Sequence, residues 1–192
     1  MPHITLRSDL YGITSLLDYR QQPARPICDL TQLLLRGPSS LTEAERELIA
    51  TYTSYLNDCT FCQTAHTAAT CLLPGGDDAV VAAVKRDLES APVSEKMRAL
   101  LRITAKVQKS GSSMTFDDAE AARQAGATDL EIHDTVLITA LFCLYNRYVD
   151  GLATVTPTEP EFYQGLGERI TTRGYAVPPG GYQPFLYHKT EE

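Results

Sequence analysis

The chain has 192 residues, which suits one domain with arms and is long enough for a proper hydrophobic core. A hydrophobic fraction of 43% and a charged fraction of 21% are ordinary for a folded globular protein. The formal net charge is -7 without a cluster of Lys or Arg, and no segment reaches the roughly 20 apolar residues that span a bilayer. We therefore expect a cytoplasmic protein that binds neither nucleic acid nor membrane, since the N-terminus lacks a signal-peptide pattern.

Helical periodicity runs through almost every extended segment and predicts an all-α fold in a single domain, residues 1–192. Two prolines predict an irregular N-terminal arm over residues 1–26, followed by a short helix that Gly37 and Pro38 end. This short helix spans about residues 27–36. Caps and breakers then predict further helices at about 44–56, 59–72, 77–89, 94–110, 115–126, from Thr128 onward, and 159–173.

Two helix starts matter most for the site. Ser40 with Glu43 three residues later is typical of a capping box for the helix that ends near Asn57. Asn57 or Asp58 can cap the next helix, which begins at about Cys59. We expect the two helices to form a hairpin.

The helix that starts at Thr128 has the longest apolar pattern, and we expect it to lie at the centre of the core. Its predicted buried stripe consists of Ile132, Val136, Ala140 and Leu144. The C-terminal tail, residues 174–192, has no helical pattern but is rich in aromatics, so we expect it to pack on the body or on a neighbouring subunit. These aromatics are Tyr175, Tyr182, Phe185 and Tyr187.

Five cysteines are present, and two of them, Cys59 and Cys62, form a CxxC pair. In a chain without secretory features, such a pair indicates a catalytic or metal-binding role instead of a structural disulfide. The others, Cys28, Cys71 and Cys143, have apolar neighbours and are predicted to be buried packing residues.

Cys59, Cys62 and His66 fall within about 60° of one another on a helix and therefore share one face. At the first turn of that helix, the free N–H groups and the dipole favour a thiolate, the nucleophilic form of cysteine. The spacing also lets the second sulfur close a disulfide with the first. His66 can transfer a proton at neutral pH.

Glu47 lies 12 positions before Cys59, on the preceding helix. A hairpin would bring its carboxylate toward His66, where it would orient the imidazole and favour its charged form. Taken together, the four residues predict a redox-active dithiol with a proton relay.

Zinc is the other common use of CxxC, but a structural zinc site needs four ligands and only His66 is near in sequence. We therefore predict no metal. Asn146, Arg147 and Asp150 cluster near the end of the long helix, where we consider Arg147 a candidate interface or site-lining residue.

The motif resembles the peroxidase-related branch of the carboxymuconolactone decarboxylase and AhpD-like superfamily. The family signature is a Glu, eleven residues, CxxC, three residues and a His, matched here by Glu47, Cys59, Cys62 and His66. The resemblance covers about residues 27–155 and implies an AhpD-like antiparallel helix bundle and a homo-oligomer, commonly of three or six chains. Further family-like segments lie at residues 45–50, 56–59 and 125–134.

The resemblance also implies roles. Cys62 would attack the peroxide, Cys59 would donate a proton and then close the disulfide, and Glu47 with His66 would relay protons. The family's enzymes often have a second His just before the second Cys, and this chain has Phe61 there. The proton relay would then lack one histidine.

The preferred hypothesis is a thiol-dependent hydroperoxide reductase in antioxidant defence, which needs a hydroperoxide substrate and an external dithiol or protein-thiol reductant but no bound cofactor. Two alternatives stay open. One is a dithiol that relays electrons to a partner protein without reducing peroxide itself. The other is a decarboxylase or lactone-processing enzyme like those of the other superfamily branch, which do not depend on a CxxC pair.

Overall fold

The computed structural model describes residues 1–183, and this part of the chain contains nine α-helices and no strand. The predicted all-α fold is confirmed. None of the described helices is long and apolar enough to cross a membrane. The helices are α1 Gly12–Tyr19, α2 Gln21–Arg36, α3 Glu43–Leu56, α4 Thr60–Leu72, α5 Asp78–Arg86, α6 Glu95–Lys109, α7 Phe116–Gln124, α8 Asp129–Gly151 and α9 Pro160–Arg173, with a 3₁₀ turn at Gly111–Ser113.

Local sequence signals determine most of the helix starts. Asp77 and Ser94 cap α5 and α6 through their side chains, and Thr115 and Thr128 form complete capping boxes at α7 and α8. These polar side chains satisfy backbone N–H groups that have no partner inside the helix. The predicted starts of α5 to α8 are therefore confirmed.

The prediction of an irregular arm over residues 1–26 is wrong beyond its first eleven residues. α1 begins at Gly12, and α2 begins at Gln21 and includes both prolines. Pro23 is the third residue of α2, where the backbone N–H has no helical partner in any case. Pro26 does remove one hydrogen bond, but burial of Ala24 and Cys28 against the body offsets that loss.

Both predicted caps of the hairpin are also wrong. Thr42 and Glu45, not Ser40 and Glu43, form the capping box of α3. Cys59 is itself the N-cap of α4 and makes no side-chain capping bond. Asn57 and Asp58 instead form the turn between the helices, with Asp58 in the left-handed region at φ 57°.

The helix α3 lies at the centre of the bundle, because it packs against α4, α6 and α8. On its outer side, α4 packs against α9. This arrangement surrounds the start of α4 with protein on both sides.

The predicted stripe of α8 is only partly correct. Ile132 is buried, but Val136 is half-buried and Ala140 and Leu144 are exposed. A strict four-residue step advances 40° around the helix each time, so the stripe turns away from the core. The buried face follows mixed steps of three and four residues, through Ile138, Leu141, Phe142, Tyr145 and Val149.

The described part of the C-terminal tail lies on the body, as predicted. Tyr182 is 5% exposed, and its hydroxyl lies 3.5 Å from the Cys28 sulfur. The Tyr175 backbone N–H donates to the Gln32 side chain on α2. Phe185 and Tyr187 lie outside the described residues.

Candidate functional site

The α3–α4 hairpin brings Glu47 and His66 together at the centre of the molecule. The distance from His66 Nδ1 to Glu47 Oε2 is 2.7 Å, and Glu47 is fully buried. The hairpin therefore brings this pair together as predicted, although Asn57 and Asp58 form its turn instead of capping α4.

Glu47 has two further partners besides His66. Arg36 Nη2 donates to Glu47 Oε1 at 2.5 Å, and the Tyr175 hydroxyl donates to the same oxygen. Burial by itself raises the pKa of Glu47, but the charges of His66 and Arg36 and the hydrogen bonds outweigh it, so the pKa lies below its usual value. The carboxylate is therefore ionised at neutral pH despite its burial.

The Glu47 carboxylate determines which nitrogen of His66 can exchange a proton. An ionised carboxylate accepts only, so Nδ1 must carry the hydrogen that it shares with Glu47. In a neutral ring this leaves Nε2 with a free lone pair, and Nε2 makes no hydrogen bond within residues 1–183. The ring is held edge-on to Phe142 at 4.6 Å and parallel to Tyr175 at 6.0 Å between centroids.

The two thiols lie at the start of α4, and both are almost fully covered: Cys59 is 0% and Cys62 is 3% exposed. The hydrogen bond with Cys59 and burial raise the pKa of Cys62 well above its ordinary value. For Cys62 this direction is opposite to the one expected from the helix dipole. The dipole effect is worth at most about 2 kcal/mol, and desolvation opposes it.

Residues from α8 complete the surroundings of the dithiol. The Asn146 side chain hydrogen-bonds Cys62, which opposes the rise in that pKa, and Asn57 and Ser54 hold the amide in place at 2.8 and 3.0 Å. Burial raises the pKa of Asp150, while its hydrogen bond with Cys59 acts in the opposite direction.

Of the residues noted near the end of α8, only some contact the dithiol. Asn146 and Asp150 contact the dithiol. Arg147, the candidate singled out from the sequence, is exposed and donates to the Cys143 carbonyl oxygen. The sequence pattern located the cluster but did not show which members face the site.

A small, mostly apolar cavity of about 60 Å³ lies beside the dithiol. Cys62 and His66 both line it, whereas Cys59 does not. A space of this size admits a few water-sized groups. Cys62 is therefore the thiol that a small molecule in the cavity would meet.

Tyr175 and Arg36 are site residues that the motif did not predict. Tyr175 comes from the tail, and its hydroxyl lies 3.3 Å from His66 Nδ1 as well as bonding Glu47. The Arg36 guanidinium lies over the Tyr175 ring at 5.1 Å. The only sequence signal for Tyr175 was the aromatic content of the tail.

Phe61, which stands where relatives often have a second His, is a packing residue. It is 1% exposed and contacts Phe162 and Tyr163 on α9. Its ring also fills the space next to Gly12, where an added Cβ would lie 2.2 Å from a ring carbon. It supplies no proton donor or acceptor.

The remaining cysteines do not all follow the prediction. Cys28 is buried as expected, but Cys71 and Cys143 are only half-buried. Cys71 lies near Asp78, with a sulfur to Oδ1 distance of 3.9 Å. Within the described residues, no group of three or more His, Cys, Asp and Glu side chains is placed to hold a metal ion.

Comparison with known proteins bears on the family and the fold. Residues 23–106, which include the whole motif, match the model of the carboxymuconolactone decarboxylase family. The solved structures that resemble the chain include AhpD-like, peroxidase-related proteins. The chain is therefore similar to members of the AhpD-like and carboxymuconolactone decarboxylase superfamily. No curated protein matches it significantly in sequence.

Two similar structures are bacterial proteins described as uncharacterized and peroxidase-related. The one from Silicibacter sp. TM1040 has 26% identity and a TM-score of 0.71, over 80% of this chain and 78% of that one. The one from Ralstonia eutropha JMP134, described as an alkylhydroperoxidase AhpD core, has 27% identity and a TM-score of 0.73, over 82% and 81%.

A third structure supports the fold alone. It is a protein of unknown function from Agrobacterium tumefaciens, described as a candidate antioxidant defence protein AhpD. Its identity is 21% and its TM-score is 0.67, over 77% of this chain and 99% of that one.

Proposed function

We propose that this protein is a thiol-dependent hydroperoxide reductase in which Cys62 attacks the peroxide and Cys59 closes the disulfide. One observation carries the proposal: Cys62 and His66 line the same small cavity, while Glu47 fixes the His66 tautomer from behind. The family and the peroxidase-related structures support an antioxidant role of this kind.

The reaction begins with transfer of the Cys62 proton to His66 Nε2, which is the ring nitrogen left free by Glu47. The Cys62 sulfur then attacks the terminal peroxide oxygen. The S–O bond forms as the O–O bond breaks, and the departing alkoxide takes the proton back from the imidazolium. Cys62 is oxidised to a sulfenic acid, and the hydroperoxide is reduced to an alcohol.

The second step joins the two sulfurs. Cys59 attacks the sulfenic sulfur of Cys62, its proton leaves with the hydroxyl group as water, and a disulfide forms. In this proposal the Asp150 carboxylate, which hydrogen-bonds Cys59, takes up that thiol proton and passes it to the leaving hydroxyl group. An external dithiol then reduces the disulfide by thiol exchange and is itself oxidised.

Tyr175 and Arg36 compensate in part for the absent second histidine. They hold Glu47 in place through its Oε1 while Oε2 faces His66. A fixed carboxylate stabilises the imidazolium that forms when Cys62 loses its proton. We propose a positioning role for both residues.

The cavity supports direct peroxide reduction. Cys62 is 3% exposed but lines the cavity, so a small peroxide in the cavity can reach its sulfur directly, whereas exchange with any external dithiol requires the buried cysteine pair to become exposed. This favours direct peroxide reduction over a pure electron relay. The homo-oligomeric state and the cytoplasmic location remain parts of the proposal that the family resemblance supports.

The deciding experiment combines mass spectrometry with stopped-flow kinetics. After treatment with hydrogen peroxide or an organic hydroperoxide, the wild type should contain a Cys59–Cys62 disulfide. Cys59→Ser should stop at a sulfenic acid on Cys62 that dimedone traps, and Cys62→Ser should consume no peroxide. Cys71→Ser, at a half-buried cysteine away from the site, is the matched control and should behave as the wild type.

Two outcomes would contradict the proposal. A dithiol that exchanges with thioredoxin or lipoamide but leaves peroxide untouched would favour the electron relay. Conversion of a lactone or decarboxylation that survives Cys59→Ser with Cys62→Ser would favour the other branch of the superfamily.

A further inference from the structure

Arg169 on α9 differs from the other buried or half-buried arginines in its partners. Arg36 pairs with Glu47, and Arg46 and Arg98 each donate to backbone carbonyl oxygens. Within residues 1–183, the Arg169 guanidinium forms neither an ion pair nor a hydrogen bond, and its Nε atom is buried without a partner. Its neighbour is the Tyr182 ring, 5.7 Å away.

An uncompensated cation in this position costs free energy. Burial lowers the pKa of Arg169, which reflects the cost of holding the charge away from water. A buried or half-buried charge is normally offset by an opposite charge or by hydrogen bonds. A ligand that brings an anion would provide that compensation.

The position of Arg169 indicates what such a ligand would reach. Arg169 lines the cavity of Cys62 and His66, and it also lines a larger outer groove of about 710 Å³. Arg173 adds a second cation to the groove, and Glu168 supplies its one carboxylate within the described residues. Arg169 thus lies on the wall between the groove and the reactive thiol.

Most of the cavity wall is apolar, with Ile13, Leu17, Leu166 and Ile170 among its lining residues. A hydrocarbon segment would therefore be favoured between the reacting group and the cation. The planar guanidinium matches a carboxylate with two parallel hydrogen bonds.

We infer that Arg169 is a specificity-determining residue that binds the carboxylate of an organic hydroperoxide while its hydroperoxide group faces Cys62. This inference deepens the proposed function by naming the class of substrate, a carboxylate-bearing hydroperoxide. It involves no chemical step beyond the one already described.

Binding can be tested without peroxidase activity. Ligand-observed NMR titration compares butyrate with butyramide, which has nearly the same shape but no charge. The wild type should bind butyrate about tenfold more tightly than butyramide, and Arg169→Gln should remove the difference. Arg102→Gln, the matched control at an exposed arginine on α6 that pairs with Glu89, should keep it. Equal binding of both probes by the wild type, or an unchanged preference in Arg169→Gln, would overturn the inference.

Kinetics then tests the substrate class. With a hydroperoxy acid and its methyl ester, the wild-type kcat/KM should favour the acid about tenfold, and Arg169→Gln should show no preference. The readout is the ratio of the two kcat/KM values, because a general loss of activity lowers both values alike. Peroxide reduction without acid preference would defeat only this inference. Preferential butyrate binding without any peroxide reduction would defeat only the proposed function.

Discussion

Two buried glutamates, Glu47 on α3 and Glu131 on α8, show how the same chemical group acquires different roles. Glu47 is 0% and Glu131 is 3% exposed, and hydrogen bonds and opposite charge lower the pKa of both. Burial would raise the pKa of Glu131, but hydrogen bonds from Lys96, the Thr128 backbone and Ser40 bring it to about 2.

The difference lies in what the partners touch. Lys96, Ser40 and the Thr128 N–H connect Glu131 to a helix start and a loop, and none of them lines the cavity beside the dithiol. His66 and Tyr175, by contrast, connect Glu47 directly to that cavity. Burial and a lowered pKa therefore do not by themselves mark a functional carboxylate. What distinguishes a functional carboxylate is contact with partners that line the reactive cavity.

The largest effect that this comparison predicts is on Glu47. Glu47→Gln removes the charged hydrogen-bond partner of His66 Nδ1, so the rate of Cys59–Cys62 disulfide formation by peroxide should fall about 100-fold. Stopped-flow mixing with quantification of the disulfide measures it. Glu43→Gln is the matched control, because Glu43 is on the same helix and contacts Arg36 but not His66. A rate within threefold of the wild type would remove Glu47 from the relay.

The second prediction concerns stability. Glu131→Gln loses the ion pair with Lys96 and one acceptor of the capping box, so the free energy of unfolding should fall by about 2 kcal/mol. Urea denaturation followed by circular dichroism measures the loss. The peroxide rate should stay within about twofold. A large rate loss in the folded variant would break the distinction between the two glutamates.

The third prediction concerns the tail. Tyr175→Phe keeps the ring but removes the hydroxyl that bonds Glu47, so the rate should fall about fivefold, as expected for one hydrogen bond of about 1 kcal/mol. Tyr182→Phe is the matched control, since its hydroxyl contacts Cys28 and not Glu47. Equal rates for the two variants would show that Tyr175 serves only to cover the site.

The smallest effect is the pH dependence of stability due to Glu131. Because its folded pKa of about 2 lies below the ordinary 4.5, its contribution is fully present above pH 4.5 and is lost as the pH falls toward 2. The stability difference between the wild type and Glu131→Gln should therefore shrink when urea denaturation is repeated at pH 3. A difference that stays constant from pH 7 to pH 3 would contradict this assignment.

The sequence by itself determined the helical class, most helix starts and the motif of Glu47, Cys59, Cys62 and His66, because capping, breaking and spacing on one helix face are local properties. The single domain and the roles of these residues remain predictions. Local signals misplaced the arm, the caps of the hairpin and the far end of the α8 stripe. In the arm, burial outweighed the preference of the prolines; at the hairpin, other residues form the caps; and in α8, a four-residue step turned the stripe away from the core.

Only the tertiary structure decided which groups surround the dithiol. Tyr175 reaches Glu47 across 128 residues of chain, Asn146 and Asp150 reach the thiols from another helix, and Arg169 meets the cavity from α9. The raised pKa of Cys62 likewise follows from its hydrogen bond with Cys59 and from burial. The helix dipole alone would have predicted a lowered pKa. Long-range packing sets both desolvation and charge proximity, and these control the chemistry of the site.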